Sequence, residues 1–356
     1  MRGAFSLVLL LGGVNAGCVG YRPPPQGTLQ TGPVSGDAPK QVWAVRAGRG
    51  LTGRVELKDG QLYGAGVDRK VYAVDLETGE VQWSSRLSGL VAGGVLVSGD
   101  TVFAASSRPE GRVYSLDRAT GQRYWRAKTG PVGAPLALVD STLLVPAQRG
   151  QLLGLNPANG SLRWRIRMGM ARIAPVSVGR GAVVVATVDS LYRVTVAKGE
   201  VTHRVPSPGT IVSPWLVHRG LLVAGTTDSQ VVAVSPADLT TRWSAKVDAP
   251  VLGSPAALGD TIYVASRRGT LFRLVPADAP VPERVVELDY PVTAPLTAFD
   301  GHLLLGGADG TLRALRPDGT EVWRIQLWRP VELGPVALDD GILAIGGNGD
   351  LHRYRQ

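Results

Sequence analysis

Short apolar runs separated by turns bearing Gly, Asp or Asn recur along most of the chain. The clearest instance spans Val71 to Trp83, VYAVDLETGEVQW, where an apolar run is followed by Asp75, a turn at Thr78-Gly79 and a second run ending in Trp83. Two β-favouring runs joined across a Gly-bearing connection predict an antiparallel hairpin. The chain writes that hairpin again at Val113–Trp125 (VYSLDRATGQRYW) and Leu152–Trp164 (LLGLNPANGSLRW). It keeps the outline at Val231–Trp243 (VVAVSPADLTTRW) and Leu312–Trp323 (LRALRPDGTEVW). No stretch sustains the 3.6-residue apolar period of a helix.

A second landmark precedes each hairpin. Ala134-Pro135, Ala174-Pro175, Ser213-Pro214, Ser254-Pro255, Ala294-Pro295 and Gly334-Pro335 follow one another at intervals of 40, 39, 41, 40 and 40 residues. The same register carried backwards reaches Gly93-Gly94 and Gly53-Arg54, which makes eight units. Each unit holds four short strands, and repeats of this size stacked radially describe a β-propeller. A four-stranded sheet cannot cover both of its faces alone, and neighbouring sheets in a ring do so. The expected fold is therefore all-β, an eight-bladed propeller of four-stranded antiparallel blades.

The ends fit that arithmetic. Leu351-His352-Arg353-Tyr354 reads as a third strand with no fourth after it, and Gln41-Val42-Trp43-Ala44-Val45 as a fourth strand with no hairpin before it. Together they complete one blade and close the ring. At the recurring outer position stand Trp43, Trp83, Trp125, Trp164, Trp243 and Trp323, with His203 and a valine near 285 in the remaining blades. An aromatic side chain at that place buries a large area between blades, so a structural, inter-blade role is expected for all six tryptophans.

Composition adds three points. Gly (46) and Pro (25) are abundant among the 356 residues, as many short strands and turns require. The net charge of +9 comes mostly from Arg dispersed along every repeat, which reads as solvated surface; no nucleic-acid motif accompanies it. The front of the chain differs from the rest. Residues 1–17 have the positive start, short apolar run and small or polar end of a secretory signal, too short for a spanning helix. Cys18, the sole cysteine, follows directly, and residues 18–40 with their run of prolines read as a lipidated cysteine and disordered tether ahead of a propeller over 41–356.

The pattern Ala73-x-Asp75-x-x-Thr78-Gly79-x-x-x-Trp83 resembles the repeat of quinoprotein dehydrogenases, the PQQ-like repeat, and Ser115-Asp117-Thr120-Gly121-Trp125 is similar to it. The resemblance implies the propeller over 41–356. It leaves function open, because one fold hosts many functions. The enzymes of that superfamily hold a quinone cofactor with Ca²⁺, an acid and, in many, a disulfide of adjacent cysteines. One cysteine forbids that disulfide, and the candidate acids Asp189, Asp228 and Asp309 fall in second-to-third-strand turns where Asp is a turn-former. His203, His218, His302 and His352 lack metal-ligand spacing. No catalytic, cofactor or metal site is expected.

The other branch is the BamB-like lipoproteins of the outer-membrane β-barrel assembly machinery. The signal, the Ala16-Gly17-Cys18 junction and eight such blades resemble that family, and Val19 after the cysteine fits outer-membrane sorting. The resemblance implies lipidation at Cys18, a periplasm-facing position on the outer membrane, and a monomer working within a larger complex as a non-catalytic scaffold. It implies docking of the POTRA-bearing barrel-assembly subunit at the loops after the third and fourth hairpins. Those loops are here Met168-Gly169-Met170-Ala171-Arg172 and Ser207-Pro208-Gly209-Thr210-Ile211, with Met170 and Arg172 as candidate contacts. A periplasmic propeller binding another envelope protein, a peptide or a glycan is the alternative.

Overall fold

A computed structural model describes residues 38–355 apart from 109, 180, 276 and 328. The expected signal, Cys18 and nearly all of the expected tether lie outside these residues. The described chain forms eight four-stranded antiparallel sheets and contains no helix. Seven sheets take their strands in chain order from the inside outwards. The eighth takes Val331–Leu338, Gly341–Gly346 and Asp350–Arg355 from the C-terminal end and Lys40–Arg46 from the other. The N-terminal strand thus closes the ring, with Trp43 opposite Arg353 and Val45 opposite Leu351.

The two middle strands of each blade are covered on both faces by neighbouring blades, and they read as unbroken apolar runs. In blade 1, Gln61–Ala65 and Lys70–Asp75 are buried almost throughout, including Tyr63 at 1% exposure. The outer strands alternate instead. Val81–Arg86, Arg123–Lys128 and Leu162–Arg167 turn Trp and its second neighbour inwards while the residues between stay exposed.

Local chemistry sets the turns. Asp59-Gly60 and Asp300-Gly301 link first to second strands with positive φ at both residues (48° and 72°; 46° and 70°). Those angles suit the twist of a two-residue hairpin, and Asp and Gly tolerate them. In the outer hairpin of blade 1, the Asp75 carboxylate accepts the backbone N–H groups of Glu77 and Thr78 and the Thr78 hydroxyl, at 2.9, 2.8 and 3.1 Å. The same Asp-to-Thr bonds form between Asp117 and Thr120. The Asp and Thr of the repeat are therefore halves of one turn.

The Trp and the Gly are halves of another contact, made between blades. The Trp43 indole donates to the Leu76 carbonyl of blade 1 at 2.9 Å, Trp83 to Arg118, Trp125 to Pro157 and Trp164 to Val196, each in the outer hairpin of the next blade. The turn glycine of that hairpin lies under the ring. A Cβ at Gly160 or Gly199 would stand 2.5 Å from Trp125 or Trp164. Trp243 and Trp323 are buried in clusters with Phe272 and Tyr354 respectively.

Two blades depart from the repeat. Blade 4 carries His203, exposed, where six other blades have Trp, and the following hairpin carries Leu239 in place of the turn glycine. Leu239 takes φ +62° and is 1% exposed, in the cluster that contains Val205. A leucine thus fills the room that the missing indole leaves. Blade 6 loses the hairpin motif to a Pro-rich segment yet keeps its outer strand, Glu283–Glu287, and Val285 stands near Gly319 as the Trp does elsewhere.

A second ring of contacts lies near the axis. Gly53 packs on Gly93, Gly93 on Ala134-Pro135, Gly253 on Ala294 and Gly334 on Pro295. Arg54 and Gly94 form a parallel bridge, where any Cβ on Gly94 would strike the Arg54 backbone. At Ala134, Ala294 and Gly334 the small residue before the proline is thus a place where successive inner strands touch.

Candidate docking surface

The connections between blades and the turns between second and third strands emerge on one face of the ring. Along this face each connection pairs with the middle turn of the blade it enters. The connection into blade 4, residues 168–175, starts with the Met168 N–H donating to the Gly150 carbonyl at 2.8 Å. It then bridges antiparallel to the blade, Ala171 opposite Thr187. In that short β-like stretch Ala171 and Ile173 point inwards, at 8% and 5% exposure, while Met170 and Arg172 are exposed. Alternation along an extended backbone requires this division.

The bridge has a further effect. With Ala171 opposite Thr187, Met170 falls opposite Val188, and the two are 45% and 39% exposed. Thr187 fixes the turn below them: its hydroxyl donates to the Ser190 carbonyl at 2.9 Å and accepts the Ser190 N–H at 3.1 Å. The equivalent joints read Pro131 with Gln148, Thr210 with Thr227, Pro250 with Arg267 and Pro291 with Ala308, joined by backbone bonds of 2.7–3.3 Å. Among these joints, the one at blade 4 sets two sizeable, exposed apolar side chains side by side, with Arg172 beside them. Val188 is missed by a reading of the connections alone. The signal was its place in the turn facing Met170, one residue before Asp189.

The second loop, Ser207 to Ile211, is tied down differently. Its Ser207 N–H donates to the Asp189 carbonyl at 2.9 Å, its Thr210 N–H to the Asp228 carboxylate at 3.3 Å, and Ile211 is buried at 1%. Thr210, the residue at the Met170 position, presents a polar group.

The candidate acids sit on three different blades, each bonded within its own turn or to the adjoining connection. Asp189 accepts the Thr187 hydroxyl at 3.0 Å, Asp228 the Thr227 hydroxyl at 3.2 Å, and Asp309 the Thr311 N–H and hydroxyl at 2.9 and 2.6 Å. They do not converge on a shared donor set that would fit the cation of a quinone site. Among the described residues no three His, Cys, Asp or Glu side chains are grouped to hold a metal ion. The histidines are equally scattered: His203 on the outer strand of blade 4, His218 on the inner strand of blade 5, and His302 and His352 on blades 7 and 8. Burial holds the His352 pKa below its ordinary value.

Two clefts open between blades. One of about 570 Å³ lies at the closing seam between blades 8 and 1, lined by Asp59, Glu77, Asp340 and Arg353 among others. There Arg353 donates to the Leu76 carbonyl, to Glu77 at 2.8 Å and to Asp340 at 2.9 Å, and Arg355 reaches the same two acids. Hydrogen bonds from Arg353 and Arg355 hold the Glu77 carboxyl below the ordinary range, and the same two residues do so for Asp340. The other cleft, about 390 Å³, lies between blades 5 and 6 over Trp243, with Arg219, Arg242 and Asp278 on its rim.

The sequence matches the model of the family described as outer membrane protein assembly factor BamB over residues 34–174, 109–238 and 167–281. The three stretches overlap because a model of several blades fits a repeat in more than one register. No protein of curated function matches the chain by sequence. Among solved structures, the chain is similar to BamB from Moraxella catarrhalis, at a TM-score of 0.76 and 15% identity over 90% of this chain and 100% of that one. The computationally designed Ika8 protein follows at 0.74 and 13%, over 89% of this chain and 99% of that one. Quinohemoprotein alcohol dehydrogenase from Comamonas testosteroni aligns at 0.69 and 13%, over 89% of this chain and 76% of that one. At these identities the structural likenesses carry the fold, and all three share it.

Proposed function

This chain belongs to the family described as outer membrane protein assembly factor BamB, and we propose that it acts there as a non-catalytic scaffold for outer-membrane protein assembly. The docking site is the joint at blade 4, where Met170 and Val188 expose a small apolar pair beside Arg172. The observation that supports this reading is the pairing itself. A scaffold acts through contacts, and contact energy concentrates where an apolar side chain and an Arg are desolvated together. The backbone beneath is held by the Ala171–Thr187 bridge, so little ordering is required on binding. The partner in this reading is the POTRA-bearing barrel-assembly subunit.

Affinity capture from detergent-solubilised envelopes tests it. Met170→Ala combined with Arg172→Glu should weaken recovery of the barrel-assembly subunit by at least about tenfold, since the pair loses contact area and reverses the charge of the Arg at the joint. Arg267→Glu with Arg268→Glu, in the middle turn of blade 6, should leave capture near wild type. Loss with the second pair and not the first would place the docking site on other blades. Recovery of a different stable partner by the wild type would favour the periplasmic binding protein instead.

Membrane attachment in this reading comes from acyl chains on Cys18, which lies outside the described residues. Cys18→Ser should move the protein from the membrane fraction to the soluble periplasmic fraction with its thermal unfolding unchanged. A wild type that is soluble, or is not processed before Cys18, would remove the anchor from the proposal.

A further inference from the structure

The Arg residues that look dispersed along the sequence are gathered by the ring. The outer strands of the adjacent blades 2 and 3, Arg123–Lys128 (RYWRAK) and Leu162–Arg167 (LRWRIR), carry six cations and no acid. Arg123, Arg126, Lys128, Arg163, Arg165 and Arg167 are all exposed. Blade 4 continues the wall with Val201–Pro206, again without an acid, where Arg204 lies over the Tyr192 ring. Charged residues on an outer strand protect it from pairing with other chains, and on four other blades an outer-strand Arg has an acidic partner. Arg46 pairs with Asp350, Arg242 with Asp238, Arg284 with Glu287 and Arg324 with Glu321. On blades 2 and 3, by contrast, none of the six forms an ion pair among the described residues; Arg163 donates to the Thr142 hydroxyl at 2.8 Å. The nearby Glu110 already holds Arg112, and its carboxyl is kept below the ordinary range chiefly by that bond, with lesser contributions from Lys128 and Arg126.

We propose that the outer wall of blades 2 and 3 is a docking surface for anionic lipid headgroups. Unpaired like charges held side by side repel one another, and a partner supplying negative charge relieves that repulsion. The layout favours a lipid surface over a folded acidic protein. Protein docking sites centre on buried apolar anchors, whereas the exposed apolar groups here, Tyr124 and Leu162, stand at the starts of the strands and the outward positions beyond them are Arg or Lys. A fluid layer can bring one phosphate to each guanidinium of a convex wall. The outer strands form the circumference of the ring, so this contact sets the propeller on its side against the membrane. Both loop faces then remain open, including the Met170–Val188 pair. The proposal goes beyond the scaffold reading and does not depend on docking at Met170.

The test is flotation of the full-length Cys18→Ser protein with vesicles of phosphatidylethanolamine and phosphatidylglycerol, against vesicles of phosphatidylcholine alone. The protein is expected to float with the first, not with the second, and to be released by high salt. Arg126→Gln with Arg165→Gln should weaken vesicle binding roughly 25-fold, taking about fivefold for each cation lost. Arg242→Gln with Arg324→Gln, paired residues on blades 5 and 7, should change it little. Arg123→Gln with Arg167→Gln serves as the second wall variant if the first fails to keep the wild-type unfolding midpoint. Flotation with neither vesicle, equal flotation with both, or equal loss from wall and control pairs would overturn the proposal. So would a wall variant that loses capture of a protein partner while floating as well as wild type.

Discussion

Deletion of residues 41–47 is expected to destroy the cooperative folding of the whole ring and not to fray one blade. Those residues form most of the strand Lys40–Arg46, which hydrogen-bonds along Asp350–Arg355 and supplies the fourth strand of blade 8. They carry Trp43, whose indole bonds to Leu76 in blade 1 and covers Gly79. Without them the edge of the last strand is bare, and the seam between blades 8 and 1 loses its outer strand while Leu343, Ile345 and Leu351 still pack on blade 1. Losing the Trp alone costs about 3–5 kcal/mol, a large part of a typical stability of roughly 5–15 kcal/mol. Urea unfolding followed by tryptophan fluorescence should show an early, broad transition in place of a single sharp one. A midpoint close to wild type would mean that closure does not depend on this strand. Arg353→Met tests the same seam more gently. Arg353 is 5% exposed and joins Leu76 and Glu77 of blade 1 to Asp340 of blade 8. Its loss should cost about 2–3 kcal/mol, as for hydrogen bonds made by a charged group, with the cooperativity retained.

The joint between each Trp and the next turn glycine should behave as a coupled pair. Trp125→Ala is expected to destabilise by about 3–5 kcal/mol, and Gly160→Ala to destabilise as well, since Gly160 has φ +74° and a Cβ there meets the Trp125 ring. The sharper test lies where the repeat has swapped partners. His203→Trp alone adds an indole to space already filled by Leu239, and overpacking of this kind costs about 1–3 kcal/mol. Leu239→Gly alone empties that space; the loss of a buried Leu, about 2–5 kcal/mol, outweighs the relief of its positive φ. The double variant restores the pairing found at Gly160 and Trp125. Its stability should exceed the sum of the two single effects by about 0.5–3 kcal/mol, the range for residues in contact. Additive effects in chemical unfolding would show that Leu239 does not occupy the place of the Trp.

Much of this architecture is written within single repeats. The turn formed by Asp75 with Thr78, the two-residue hairpin at Asp300-Gly301 and the regular return of small-Pro pairs need no distant partner. Backbone chemistry over a few residues therefore determines the strands and turns, the number of repeats sets the count of eight blades, and a strand lacking its hairpin at one end matches a blade lacking its fourth strand at the other. Contacts across blades are another matter. The place of Leu239 as a substitute for an indole was illegible, because its partner positions belong to the preceding blade and the chain offers no local reason for a leucine at positive φ. Val188 stands opposite Met170 because the Ala171–Thr187 bridge folds a connection back onto a turn; in sequence Val188 is one apolar residue in a polar turn. The cations followed the same course. Arg123–Lys128 and Leu162–Arg167 are a full repeat apart in the chain and read as dispersed charge, yet radial stacking sets their strands side by side. A period places each residue within its blade. What that residue meets depends on the neighbouring blade, and only the closed ring decides which side chains become neighbours.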